Sequence, residues 1–370
     1  MSKRIFSPYR ICPLGAHIDH QGGAVLGRTI NLGTTLEYEP LDSNEIQITS
    51  SQFGEVKFII GELDPAHWAR YAQAAAQILP LKRGMKAQVS GSLIGAGLSS
   101  SASVALAFLQ ALVDLNNITL TSAQLVQKEF ELEHNILGLQ IGLLDPLTIV
   151  HGQRNALLFM DTATASVTPI VDPTSSAFAW IVAYSGVSRE LTRSVFNHRV
   201  AECTAAASRL KKSAQILSDV SPEVFKRKKM SLPENLRNRA EHFFTEVERV
   251  HLGRQAWQDQ DLYLFGHLMN QSCQSSIHNY ESGSPILIEL QELVNGTDGV
   301  YGSRFSGGGY GGCVVALAKR ETSEHACKDI AGRFSRIHPD LPSNVFVAEM
   351  ADGISPLPEL MKDPAGVIKL

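Results

Sequence analysis

Four stretches carry residue types that could do chemistry. In Ser92-Leu93-Ile94-Gly95-Ala96-Gly97-Leu98-Ser99-Ser100-Ser101-Ala102, a glycine- and serine-rich turn feeds the apolar run Ala102 to Val113, which is long enough to be a buried helix. Such a turn presents several unpaired backbone N–H groups at a helix N-terminus, where the dipole adds positive potential, and so suits a phosphate. No Lys-Ser or Lys-Thr pair closes the glycines, so it is not a Walker A loop; alternatively, the serines only cap the helix. In Glu133-His134-Asn135-Ile136-Leu137-Gly138-Leu139-Gln140-Ile141-Gly142-Leu143-Leu144-Asp145, two carboxylates flank a glycine-marked bend in apolar surroundings. An acid so placed has a partner cation or a shifted pKa, both common at active sites; otherwise Asp145, beside Pro146, caps the following helix.

Near the N-terminus, Pro8-Tyr9-Arg10-Ile11-Cys12-Pro13-Leu14-Gly15-Ala16-His17-Ile18-Asp19-His20-Gln21-Gly22-Gly23 puts an arginine, two histidines and an aspartate on a turn-rich segment. That cluster could bond several hydroxyls at once, as a sugar requires, or be a surface loop with a capping aspartate. Arg304-Phe305-Ser306-Gly307-Gly308-Gly309-Tyr310-Gly311-Gly312-Cys313 is dense enough in glycine for backbone to approach backbone or ligand closely; a hairpin loop is the plain alternative.

The elements around these stretches read as mixed α and β in both halves. Met85 to Ser90 partly alternates, as a strand entering the first turn would, and residues 24–60 read as strands with a turn at Asp42-Ser43-Asn44. Asp64-Pro65 opens a helix through Leu79, with Trp68, Tyr71, Ala72 and Ala75 on one face. Thr121 is the expected N-cap of a helix from Ser122 to Leu137 that Gly138 stops. Leu143 to Val150 reads as a short helix with Asp145-Pro146 near its start, and Asn155 to Met160 as a strand. Asp161 to Ser176, rich in Thr, Ser and Pro, reads as a domain linker. Strands are expected at Phe178 to Tyr184, Cys313 to Ala318 and Val345 to Ala348, and helices at roughly 190–217, 222–228, 233–252 and 257–274.

A chain of 370 residues exceeds one ordinary core, so two domains are expected. With 44% hydrophobic and 19% charged residues, the balance is that of a globular enzyme rather than a disordered chain. A formal charge of -4 offers no field for nucleic acid or acidic lipid. The five cysteines never form C-x-x-C, which argues against disulfides or zinc and for a reducing compartment. Met1 to Arg10 holds no apolar run and Ala177 to Val187 is too short to span a bilayer, so a cytoplasmic location without signal peptide or membrane span is expected.

Together the four stretches resemble the motifs of the GHMP small-molecule kinases, most closely the galactokinase branch. Ser185-Gly186-Val187-Ser188-Arg189-Glu190-Leu191 through Ser194, Asn197 and Arg199, then Phe265-Gly266-His267-Leu268-Met269 with Ser272, Tyr280 and Glu281, are similar to that branch's later segments. The resemblance implies two α+β domains with the active site in the cleft between them. They would be residues 1–172, with the sugar and phosphate motifs, and 173–370, ferredoxin-like, whose glycine-rich motif packs beneath the phosphate turn. It implies ATP bound at Gly95, Ala96, Gly97, Leu98, Ser99, Ser100 and Ser101, and Mg²⁺ held by Ser100 or Ser101 and by Glu133, hard oxygen ligands that suit it. Asp145 matches the catalytic aspartate, which would take or orient the proton of the anomeric hydroxyl attacking the γ-phosphate. Arg10 matches its partner arginine. His17, Asp19, Gly142 and Phe196 fall at substrate-binding positions, and the product would be a sugar 1-phosphate.

The departures from galactokinases narrow the substrate. The glutamate that meets the C6 hydroxyl of galactose is Ala16 here, a sugar-contacting tyrosine is Phe196, and the glutamine after the catalytic aspartate is Pro146. If C6 itself bears a carboxylate, a glutamate ~4 Å away would repel it by about 4 kcal/mol at an effective dielectric near 20, roughly a thousandfold in binding. Ala16 removes that charge and makes room. The motif from Pro13 to Gly23 resembles galacturonokinases more than ordinary galactokinases, so D-galacturonic acid is the expected substrate, with His20 or Arg28 nearest in sequence to meet its carboxylate. Galactokinase, L-arabinose kinase and a non-catalytic sugar and ATP sensor are the alternatives.

Overall fold

The structure, a computed structural model, describes residues 2–174, 177–188 and 193–356. Its first sheet is built on a long antiparallel pair, β1 (Lys3–Leu14) and β2 (Ala24–Leu41). β3 (Glu45–Ser50) and β4 (Gly54–Ile59) form a hairpin, then come α1 (Arg70–Ile78), β5 (Gly84–Gly91), α2 (Ser100–Leu115), α3 (Ser122–Glu131) and α4 (Leu144–His151). β5 pairs antiparallel with β2 and parallel with β3. β6 (Ala156–Asp161) extends the start of β2 and pairs with β7 (Ser166–Val171).

The second sheet holds β8 (Phe178–Tyr184), β9 (Val300–Phe305), β10 (Cys313–Lys319) and β11 (Asn344–Ala348), antiparallel throughout in the order β11-β8-β10-β9. Between β8 and β9 run α5 (Arg193–Leu210), α6 (Pro222–Lys228), α7 (Glu234–Gln258), α8 (Leu262–His278) and α9 (Pro285–Asn295), and α10 (Ser323–Ile337) precedes β11. The chain then returns to the first sheet. Glu349 accepts from the Asn31 N–H, Ala351 donates to Thr29, and β12 (Ser355–Pro356) pairs with Ile5 and Phe6 of β1.

β8 and β10 are buried on both faces, which explains their unbroken apolar runs. One face, with Ile181, Val314 and Ala316, packs under α9 and α10; the other, with Trp180, Val182 and Val315, shares a core with Tyr9, Ile11, Leu26 and Ile30 of the first sheet. α2 is apolar nearly all round because it lies in the core between the first sheet and α1 and α3.

Several sequence expectations are corrected. Residues 8–14 are strand rather than turn; Pro8 and Pro13 are tolerated because the β1–β2 register shifts at Pro8/Tyr9 and between Ile11 and Leu14. The helix expected from Asp64 begins at Arg70, because the Asp64 carboxylate accepts from the Ala66 N–H and the His67 ring from Ala69, turning the chain first. Asp161 to Ser176 is not all linker, since residues 166–171 form β7. Arg189, Glu190 and Leu191, together with the side chain of Ser194, lie outside the described residues. Thr121 caps α3 as expected, in a capping box with Gln124, and Gly138 ends that segment at φ +69°.

Candidate active site

The four stretches meet around one cavity of about 690 Å³, a size proper to small-molecule sites. β1 carries Arg10 to it. The Arg10 Nε donates to Asp145 Oδ1 at 2.6 Å, and Nη1 donates to the Gly97 carbonyl at 3.2 Å and to Ser306 Oγ at 3.3 Å. One buried guanidinium thus ties together the aspartate of α4, the glycine–serine turn and the glycine loop between β9 and β10. Asp145 also accepts from Ser99 Oγ at 2.5 Å, so this serine does not cap α2; it sits at φ +65° with no side-chain cap bond. Both contacts to Asp145 are short, as charge-assisted bonds are.

The turn and the glycine loop touch backbone to backbone. A Cβ on Gly97 would lie 2.7 Å from the Ser306 carbonyl, one on Gly307 2.8 Å from the Gly97 carbonyl, and one on Gly312 2.5 Å from the Ala96 carbonyl. The loop is a hairpin connection that also forms the floor of the turn. Gly95, Gly97, Ser99, Ser100 and Ser101 line the cavity, whereas the side chains of Ala96 and Leu98 are buried in the core. Glu133, only 2% exposed, lines it from a π-helical turn that continues α3. Beneath it is Glu129, fully buried, whose carboxyl is pushed well above its ordinary range by burial and then by the charges of Glu133 and Asp145. Among the described residues no three acidic, histidine or cysteine side chains form a metal cage. A cation beside Ser101 and Glu133 would take the rest of its shell from phosphate oxygens and water, the habit of Mg²⁺.

Ala16, His17, Asp19, Gly142 and Phe196 line the same cavity. The Asp19 carboxylate accepts from the Leu144 N–H at 3.4 Å, and its pKa is raised to about 6 by burial and then by the charge of Asp145. Gly142 is glycine for space, since a Cβ there would lie 2.4 Å from the Asp19 carboxylate. Phe196 meets the His20 ring edge-on, with centroids 5.7 Å apart.

Neither residue nearest in sequence for a substrate carboxylate is on the cavity wall. Arg28 is spent in a bidentate pair with Asp172 and on the Arg154 carbonyl. His20 bonds to the Tyr280 hydroxyl at 3.1 Å, and burial pushes its pKa down to about 4, leaving it neutral. The lining instead offers Arg10, His17 and Asn197.

Sequence reasoning missed the far end of the cavity. There Phe53, Trp68, Arg70, Tyr71 and Phe108 contribute, with the Phe53 and Trp68 rings 5.7 Å apart and nearly parallel. The sequence pattern puts Trp68 on a helix face; the loop before α1 turns it into the cavity instead. The one signal was two aromatic residues, Trp68 and Tyr71, close together in an alanine-rich segment.

The family model of the GHMP kinases N terminal domain matches residues 68–153, and that of the GHMP kinases C terminal matches 254–335. The first segment carries the turn, Glu133 and Asp145; the second carries the glycine loop. Two α+β halves joined in this way define a two-domain kinase of small molecules. Galacturonokinase of Arabidopsis thaliana is 36% identical over 92% of this chain and 89% of its own length, and galactokinase of Ligilactobacillus salivarius is 29% identical over 94% and 93%. Lactococcus lactis galactokinase, solved in complex with galactose, superposes with a TM-score of 0.90 at 27% identity, over 96% of this chain and 95% of its own. The chain belongs to the GHMP kinase family, in its galactokinase branch, and is an ATP-dependent sugar kinase.

Proposed function

We propose that this kinase phosphorylates D-galacturonic acid at its anomeric hydroxyl, giving galacturonate 1-phosphate and ADP. The observation that carries this is Ala16 on the cavity wall, beside His17 and Asp19 and with no acidic side chain of its own. The likeness to a plant galacturonokinase supports it.

In this reading Asp145 accepts the proton of the anomeric hydroxyl as that oxygen attacks the γ-phosphate. Arg10 holds the carboxylate in place and offers positive charge to the phosphoryl group as it transfers. His17 and Asp19 bond the sugar hydroxyls, Phe196 and Gly142 shape the sugar end, and His17 or Asn197 donates to the C6 carboxylate. Backbone N–H groups of Gly95 to Ser101 cradle the phosphates at the α2 N-terminus. The aromatic wall of Phe53, Trp68 and Tyr71 takes the base by stacking. Ser101 and Glu133 would hold Mg²⁺, which would supply charge neutralisation at the phosphates. The domain boundary falls near residue 172, and the five free, buried cysteines fit the reducing cytoplasm.

The test is ATP-dependent ADP release with D-galacturonate, D-galactose, D-glucuronate and L-arabinose at equal concentrations, for the wild type and Ala16→Glu. Preference for galacturonate, shifted by Ala16→Glu toward galactose by about a hundredfold or more, is the expected result. A wild-type preference for galactose or arabinose overturns the uronate, and an unchanged preference in Ala16→Glu removes the role given to Ala16.

A further inference from the structure

The loop that carries Ala16, His17 and Asp19 belongs to the first half of the chain, yet two of its backbone groups are held by a helix of the second. Leu14 is the last residue of β1 paired with β2. Beyond it, Gly15 takes φ +95° and His17 takes φ +65°, a conformation a non-glycine residue holds only when its surroundings impose it. The Gly15 N–H donates to Glu246 Oε1 at 2.7 Å, and the Ala16 carbonyl accepts from His242 Nε2 at 3.0 Å. Both partners stand on α7, at positions four apart and so on one face.

Each partner is itself fixed. Glu246, fully buried, receives hydrogen bonds from Ser272 and from Arg249 at 2.7 Å, with Arg304 at 3.5 Å. Burial would raise its pKa, but Arg249 first, then His242, Arg304 and the Ser272 hydrogen bond outweigh burial and bring it to about 2, so it is an anion. Burial lowers the pKa of His242 to about 4, so it is neutral. Because a carbonyl only accepts, Nε2 carries the His242 proton, and Nδ1 accepts from Ser275 Oγ at 2.9 Å, a hydroxyl that Asn279 Nδ2 in turn reaches at 3.1 Å. The His17 ring lies stacked on Tyr280, centroids 4.3 Å apart, and the His242 ring is tilted against the same tyrosine.

We propose that His242 and Glu246 are positioning residues of the acceptor-sugar site: through the backbone of Gly15 and Ala16 they set where His17 and Asp19 stand. They act on the sugar rather than the nucleotide, because the groups they hold are the Gly15 N–H and the Ala16 carbonyl. The proposal rests on the reading that the loop at residues 15–19 holds the sugar, and the test separates the two.

His242→Phe keeps a buried ring and removes the donor to Ala16; His242→Gln restores an N–H at a similar reach. With D-galacturonate, or whichever of the four sugars turns over fastest, His242→Phe should raise the sugar KM by about 10- to 100-fold while the ATP KM stays within about twofold. His242→Gln should recover most of the loss. Thermal midpoints are read alongside, because a merely structural role would lower stability and move both KM values together. An unmoved sugar KM, equal changes in both KM values, or a His242→Gln enzyme no better than His242→Phe overturns the positioning role. Glu246→Gln, which keeps an acceptor for Gly15, should likewise affect the sugar KM before the ATP KM; the His242 pair decides if this variant does not fold. His17→Ala is the control. A sugar KM that it leaves unmoved overturns the reading of the loop and the positioning role with it. A sugar KM moved by His17→Ala but not by His242→Phe overturns the positioning role alone.

Discussion

Arg10 and Asp145 form the smallest unit that explains the site. Asp145 is held by Arg10 on one oxygen and Ser99 on the other, so its carboxylate is aimed before any ligand arrives. Asp145→Asn keeps the acceptor for Arg10 but cannot take a proton. Turnover should fall by about 10²–10⁴ while ATP affinity, read by calorimetry, holds; near-normal turnover would remove Asp145 as the base. Asp19 carries a pH dependence. Its pKa is raised to about 6 from the ordinary 3.8, so the folded chain binds this proton more tightly than the unfolded one. Its contribution to stability is therefore full below about pH 4 and lost as pH rises to about 6. In the proposed role of Asp19 the sugar hydroxyls donate to its ionised form, so kcat/KM for the sugar should drop as pH falls through about 6; a profile flat across pH 5–7 would contradict that role. The acidic and basic residues of this unit were legible in the sequence because their types and settings are unusual. The bond from Ser99 to Asp145 was not, because the left-handed backbone at Ser99 that aims it depends on what lies beneath the turn.

At the scale of elements, two glycine segments far apart in the chain build one feature. The turn before α2 keeps its shape because the loop between β9 and β10 supports it from below, with Gly97 and Gly307 in mutual contact. Gly97→Ala places a Cβ 2.7 Å from the Ser306 carbonyl at φ +76°. It should cost about 1–3 kcal/mol or more in stability and raise the ATP KM more than the sugar KM, measured by thermal unfolding and steady-state kinetics. Equal stability and unchanged ATP use would mean the two segments are not one unit. Apolar run length found α2, β8 and β10, and the capping residue Thr121 marked the start of α3. Local pattern misplaced β1, where two prolines mask a strand that tolerates them at register shifts, and the start of α1, where local side-chain bonds to backbone outcompete the helix.

The halves of the molecule are joined by shared core and by a few buried polar ties. Arg10 reaches Ser306 and the Gly15 N–H reaches Glu246 across them. Arg28 of β2, 1% exposed, binds Asp172 after β7 and the Arg154 carbonyl within the first half, and reaches Met350 of the returning C-terminal segment. Arg28→Met should leave Asp172 without its partner and lower stability by about 3–5 kcal/mol, read in denaturant, with KM values little changed because Arg28 is off the cavity. A loss confined to activity would place Arg28 in the site after all. The sequence by itself determined the class of chemistry. Glycine turns and an acid in apolar surroundings are properties of residue type and order, set by local sterics and charge, and the missing carboxylate at Ala16 is read against the family the sequence resembles. Only the tertiary structure decided which groups face the cavity: it spent Arg28 elsewhere, turned Trp68 inward, and put α7 behind the loop at residues 15–19. Arg28 and α7 are placed by contacts more than a hundred positions apart in the chain, and Trp68 by bonds between neighbours ahead of α1. In each case burial and hydrogen-bond satisfaction select one arrangement among many that the local pattern permits.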